Sequence, residues 1–158
     1  MFKSFLIGTL VLISQSSIAE SKFIVLKNKL EKLGFQVIIA LPPINFSQTK
    51  SDYLINSRRA YGLLESSTQK IWINPVVFDL NIATPTLIHE SVHAAQVCAG
   101  GDKLKTLNLD IQPINDARPF FLRYADIHQQ DLEKEAYAVQ TQPNSFELAL
   151  SLLEKHCQ

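Results

Sequence analysis

One stretch, Thr86-Leu87-Ile88-His89-Glu90-Ser91-Val92-His93-Ala94-Ala95-Gln96, limits what this chain can become. It reads as a helix on which His89 and His93, four positions apart, share one face about one turn from each other. Both imidazoles can then reach a single metal ion, and Glu90 points near the place where water at that metal would sit. Zinc-assisted hydrolysis needs these parts: a Lewis acid, a nucleophilic water and a base to deprotonate it. His-Glu-x-x-His fixes few positions, so the competing reading is a helix whose histidines are exposed or satisfied in a core.

The 158 residues suffice for one domain with a proper core. The 46% hydrophobic and 19% charged composition marks that domain as globular rather than disordered. The first residues read as a secretory signal peptide, Met1 to Ala19, leaving 20–158 as the domain. Lys3 supplies a basic start, Phe5 to Ile13 an apolar run, and Ser17 and Ala19 the small residues ahead of a cut before Glu20. That run falls short of the roughly 20 residues that span a bilayer, which favours cleavage over a retained anchor. No stable membrane insertion is expected afterwards, and the protein should be periplasmic or secreted. Lys+Arg 15 balances Asp+Glu 15, so the basic excess of a nucleic-acid surface is missing. Cys98 and Cys157 are an even pair in an exported chain and are expected to form a disulfide. Closing a loop of about 60 residues stabilises a fold by roughly 4 kcal/mol in the chain-entropy account. The alternative is two separate buried thiols.

Along the chain, Phe23, Leu26, Leu30 and Leu33 have helical spacing over Lys22 to Leu33, and Gly34 caps that helix. Phe35 to Leu41 reads as a strand closed by Pro42-Pro43, and 45–57 as polar and irregular, with Tyr53 and Ile55 as inward candidates. Arg59 to Glu65 and Lys70 to Asn74 read as two more strands joined by the turn Ser66 to Gln69. Thr84-Pro85 are expected as N-cap and first residue of the histidine helix, which should stop near Gly100-Gly101. Leu104, Leu107, Leu109 and Ile111 belong to an ordered connection, strand or loop. Tyr124 to Gln140 reads as a helix, and Pro143 starts another, capped by Thr141 or Gln142, with Phe146, Leu150 and Leu153 as its apolar stripe. The order implies an α+β fold: a small, mostly antiparallel sheet packed on the histidine helix, followed by a C-terminal helical part.

A catalytic zinc held by two histidines needs a third protein ligand. His156 reads as a solvated helix-end residue, favoured there when charged, and His128 as exposed. Glu133 and Glu135 are the better sources. Here the chain resembles the zincin metallopeptidases, in particular the glutamate-ligated gluzincins of small secreted bacterial type. The resemblance rests on His89, Glu90 and His93 followed by Glu133-Lys134-Glu135-Ala136, and it covers roughly Ala60 to Gln140. It implies a minimal zincin-like domain, a Zn²⁺ cofactor, Glu133 as third ligand and an edge strand at Gln69 to Asn74 that binds extended peptide or protein substrate. The chain also departs from relatives. Gln96 and Ala99 stand where three-histidine zincins carry Gly and His, and Tyr137 stands where an orienting Asp is usual, so no partner for the imidazoles is identified. Residues two apart point about 200° from each other on a helix. The apolar stripe Leu132, Ala136, Val139 mildly favours Glu135, but the resemblance favours Glu133, which is the expected third ligand with Glu135 as the alternative.

These residues imply a zinc-dependent hydrolase, in which Glu90 is the general base and His128, Tyr124 and Tyr137 compete to stabilise transition-state charge. The alternative, from another class, is a secreted zinc-binding scaffold or partner-binding protein without turnover. Recovery of an exported protein that begins at Glu20, read by N-terminal sequencing, is expected. A chain still beginning at Met1 would contradict the signal peptide.

Overall fold

A computed structural model describes residues 8–43, 60–101 and 103–158, with side chains from residue 19 onward. The expected irregular segment 45–57, with Tyr53 and Ile55, lies outside the described residues. The described elements make an α+β fold of six α-helices, one 3-10 turn and a three-stranded sheet. In chain order they are α1 (Gly8–Lys32), β1 (Gln36–Ile39), β2 (Gly62–Glu65), β3 (Lys70–Ile73), α2 (Val76–Asp79), α3 (Ala83–Gly100), the 3-10 turn Asn115–Ala117, α4 (Arg118–Leu122), α5 (Ile127–Gln140) and α6 (Ser145–His156).

α3 is the centre. From Thr86 to Val97 nearly every residue is buried, so this helix is enclosed on all sides rather than laid on a surface. α1 packs on it through Phe23, Leu26 and Leu30, the stripe expected from their spacing, with Leu33 at the margin. α1 starts at Gly8 rather than Lys22, because no helix breaker interrupts the chain between Gly8 and Gly34. Gly34 takes a φ of +93°, the left-handed conformation that closes a helix and favours glycine. At the other end α3 begins at Ala83, one residue before the expected cap. Thr84 does not cap it, and its hydroxyl instead donates to the Ala19 carbonyl at 2.8 Å. α3 closes at Gly101 as expected, with a φ of +72°.

The sheet order is β1-β3-β2, with β1 parallel and β2 antiparallel to β3. The sheet is therefore mixed rather than mostly antiparallel. The expected edge strand is also corrected: Lys70–Ile73 lies in the middle, and β2 is the edge nearer α3. Strand order is a long-range property that alternation cannot report, and here the 36–39 segment pairs across the chain with β3, Val37 opposite Ile71. Ile71 and Ile73 point into the core, in step with the expected alternation around Trp72. Asn74 fixes the start of β2: its side-chain amide donates to the Ala60 carbonyl at 3.3 Å, and its backbone N–H donates to Tyr61 at 2.8 Å.

On the C-terminal side, α5 starts at Ile127 rather than Tyr124, with Asp126 capping it by accepting from the Gln129 N–H at 2.8 Å. Leu132, Ala136 and Val139 are buried against α3, the stripe that their spacing implies. α6 begins at Ser145 after Asn144, not at Pro143, and buries Ala149, Leu152 and Leu153, with Phe146 and Leu150 at the margin. The segment carrying Leu104, Leu107, Leu109 and Ile111 has no regular structure yet packs on the core. His156 departs from the solvated reading: its Nε2 is buried without a partner among the described residues, and burial pushes its pKa down. Cys98 and Cys157 form the expected disulfide, tying α3 to the end of α6. Among the described residues no helix is long and apolar enough to cross a membrane.

Replacing both cysteines by alanine is expected to cost about 2–4 kcal/mol, since the crosslink closes a separation of 59 residues. Urea denaturation reads this directly, and an unshifted midpoint would contradict a structural role.

Candidate metal centre

Where α5 crosses α3, His89, His93 and Glu133 converge. One ligand atom from each lies within 4.8 Å of the others. His89 Nε2 is 3.2 Å from Glu133 Oε2 and 3.2 Å from His93 Nε2, and His93 Nε2 is 3.7 Å from Glu133 Oε1. The two imidazoles meet because residues four apart on α3 stack on one face. The carboxylate arrives because Glu133, Tyr137 and Gln140 form a single ridge of α5, spaced four and three, that covers His89. Tyr137 lies edge-on to the His89 ring at 4.6 Å, in the place where an orienting acid was missed. Gln140 meets the other ring nitrogen, His89 Nδ1, through its Oε1 at 3.1 Å.

Glu135 is not part of this group. It sits on the opposite flank of the Leu132, Ala136, Val139 stripe, where it accepts the backbone N–H groups of Leu107 at 2.8 Å and Leu109 at 3.3 Å. It also accepts from Gln96 Nε2 at 2.9 Å. Gln96 in turn presents its Oε1 to His93 Nδ1 at 2.7 Å. Each candidate ligand histidine thus has a glutamine on its far nitrogen, an arrangement that orients metal-binding imidazoles. Both glutamines follow helical spacing, Gln96 three after His93 and Gln140 seven after Glu133. In the sequence Gln96 stands out only as a departure from the three-histidine zincins, and Gln140 carries no signal besides its spacing.

Glu90 lies against β2, is 4% exposed, and is near enough to His93 and Glu133 to feel their charges. Burial, chiefly, pushes its carboxyl up to about 7, reinforced by the charge of Glu133; His93 and the Leu64 backbone partly offset the rise. Glu133 moves in the opposite direction. Burial would raise it, but its bond to His89 and the charges of His93 and His89 outweigh that and hold it at about 2. Gly62 was also missed. A Cβ there would lie 2.5 Å from Glu90 Oε1 and 2.8 Å from its Cγ, so only glycine lets the edge strand pass so close to the carboxyl.

Of the three donors considered for transition-state charge, Tyr124 and Tyr137 flank the centre and His128 does not. Tyr124 lies beside Glu133; burial and the Glu133 charge raise the phenol's pKa, and Arg123 donates to its hydroxyl at 3.4 Å. Burial and the Glu133 charge push Tyr137 up to about 12. His128 is exposed and meets the Leu104 carbonyl at 3.3 Å. A cleft of about 470 Å³ lies along α5, lined by residues such as Gln112, Arg118, Phe121 and Lys134, and its lining does not include the three converging residues.

Gly62→Ala is expected to cost about 1–3 kcal/mol by displacing Glu90, read by chemical denaturation; an unchanged midpoint would contradict the close approach. The pH dependence of the metal-free protein follows from the two carboxyls. Glu90 is raised from 4.5 to about 7, so the folded chain holds that proton more tightly and stability falls as pH rises between those values. Glu133 is lowered to about 2, so its contribution is lost as pH falls from 4.5 towards 2. Glu90→Gln should flatten the decline above pH 4.5, an effect on the order of 3 kcal/mol, whereas a decline of wild-type size in the variant would contradict the assignment.

No family model, curated protein or solved structure matches this chain.

Proposed function

We propose that this protein is a zinc-dependent hydrolase of the zincin kind, acting on peptide bonds. The observation that carries this reading is the convergence of His89, His93 and Glu133 with Glu90 buried beside them. Two imidazoles and one carboxylate are the donor set of catalytic zinc sites that keep a position open. Zinc bound there would supply a Lewis acid that polarises a carbonyl and acidifies water. His89, His93 and Glu133 would hold it, with Gln140 and Gln96 orienting the two imidazoles from their far nitrogens.

Glu90 takes the proton of the attacking water and returns it to the leaving amine. Burial raises its carboxyl in the metal-free protein, which makes it a stronger base than a solvated glutamate. A zinc site of purely structural purpose has no use for a buried carboxyl that binds neither metal nor a basic side chain, which favours the enzyme over the non-catalytic scaffold. Tyr124 and Tyr137, the aromatic side chains beside Glu133 and His89, are the candidates to donate to transition-state charge. Substrate enters on β2 rather than on β3 as the sequence implied. Among the described residues β2 pairs with β3 alone, so an extended peptide can add along its other edge, next to Glu90. Export to an oxidising compartment belongs to the same proposal and is supported by the disulfide.

Purified protein should bind one equivalent of zinc and cleave a mixed peptide library in a chelator-sensitive way. Glu90→Gln should keep the zinc and lose the cleavage, and Glu133→Ala should lose zinc affinity. Cleavage retained in Glu90→Gln would overturn the mechanism, and absence of zinc binding in the wild type would overturn the metal.

A further inference from the structure

Glu135 is a half-buried carboxylate outside the candidate metal set, yet it stands two hydrogen bonds from His93. Gln96, between Glu135 and His93, is 0% exposed. Its amide has a nitrogen end that only donates and an oxygen end that only accepts. The nitrogen end meets two acceptors, the Leu132 carbonyl at 3.1 Å and Glu135 Oε2 at 2.9 Å. Glu135 in turn receives the N–H groups of Leu107 and Leu109. Turning the Gln96 amide over would set its oxygen against two other oxygens in a dry site, so its orientation is dictated by its neighbours.

That orientation decides a proton. The Gln96 oxygen faces His93 Nδ1 at 2.7 Å and can only accept, so the hydrogen of that bond must come from the ring. A neutral imidazole with its proton on Nδ1 has a bare Nε2, and Nε2 is the atom that faces His89 and Glu133. From the metal-facing imidazole to the 107–109 segment, every hydrogen in the chain points towards Glu135. His89 is held differently: among the described residues Gln140 is tied at its oxygen end alone, so nothing dictates which way its amide turns.

We infer that Gln96, oriented by Glu135 and the Leu132 carbonyl, is a positioning residue that holds His93 in the Nδ1-protonated tautomer and so presents Nε2 to a metal before any metal arrives. The function of the tautomer rests on the zinc reading above; the tautomer itself does not. The 104–109 segment thereby acquires a role, since it supplies the N–H groups that keep Glu135 in place.

The test begins with metal-free wild-type protein at about pH 8, above the usual histidine range. Long-range proton–nitrogen correlation of ¹⁵N-labelled histidine should show His93 with its hydrogen on Nδ1. A hydrogen on Nε2, or a mixture of both forms, would overturn the proposal, and neither result depends on zinc. Zinc affinity by chelator competition is the second reading. Gln96→Met, of similar length but without polar atoms, should weaken it by about ten- to hundredfold. Glu135→Gln keeps an oxygen in the Oε2 position and gives up only the longer bond to Leu109, so it should retain both the tautomer and near-wild-type affinity. Unchanged affinity in folded Gln96→Met would overturn the proposal. A wild type that shows the tautomer but binds no zinc would instead overturn the zinc reading and, with it, the purpose assigned to the tautomer.

Discussion

Everything in this fold depends on the crossing of α3 and α5, where two imidazoles and a carboxylate are taken out of water together. None of these groups would be stable there alone, because burying an unpaired carboxylate or ring nitrogen costs several kcal/mol. Together they satisfy one another, and the close approach they need is provided by small residues. Ala94, Ala95 and Ala136 are fully buried in the core shared by α3 and α5, and alanine lets two helix backbones draw together without a void. The remaining elements hold this pair: α1 and α6 pack on the other sides of α3, and the disulfide fixes α6 to it.

Two buried carboxyls in one site are driven apart by their surroundings. Glu133 faces the imidazoles and stays ionised well below the usual range, while Glu90 is buried against the bare backbone at Gly62 and keeps its proton up to about 7 in the metal-free protein. Such a split is how one site obtains both a permanent anion, suited to a metal, and a group that exchanges protons near neutrality. The position on α3 decides which is which. Glu90 is adjacent to His89 in sequence, so it projects about 100° round the helix from it and reaches β2 instead of α5.

Much of this was legible in the sequence where the signal is local. Helical spacing marked the buried faces of α1 and α5, alternation placed Ile71 and Ile73 inward, and the cysteine pair announced its crosslink. What failed was whatever depends on how elements are rotated or ordered against each other. The Leu132, Ala136, Val139 stripe does face the core, but the helix it faces is broad enough to touch both flanks of that stripe. Glu133 meets histidines on one flank and Glu135 meets Gln96 on the other, so spacing alone could not separate them. The strand order failed for a similar reason: β3 became central through a parallel pairing with β1 that no local pattern encodes. Gln96 and Gln140 were within reach, because both stand at helical spacing from residues already singled out. Gly62 was not, since its purpose exists only once Glu90 is beside it.

The most direct measurement is X-ray absorption at the zinc edge on protein loaded with one equivalent of metal and dialysed. The account predicts a first shell of nitrogen and oxygen at about 2.0–2.2 Å, with the multiple-scattering pattern of two imidazoles and no sulfur at about 2.3 Å. A sulfur-containing shell, a shell without two imidazoles, or zinc lost on dialysis would contradict it.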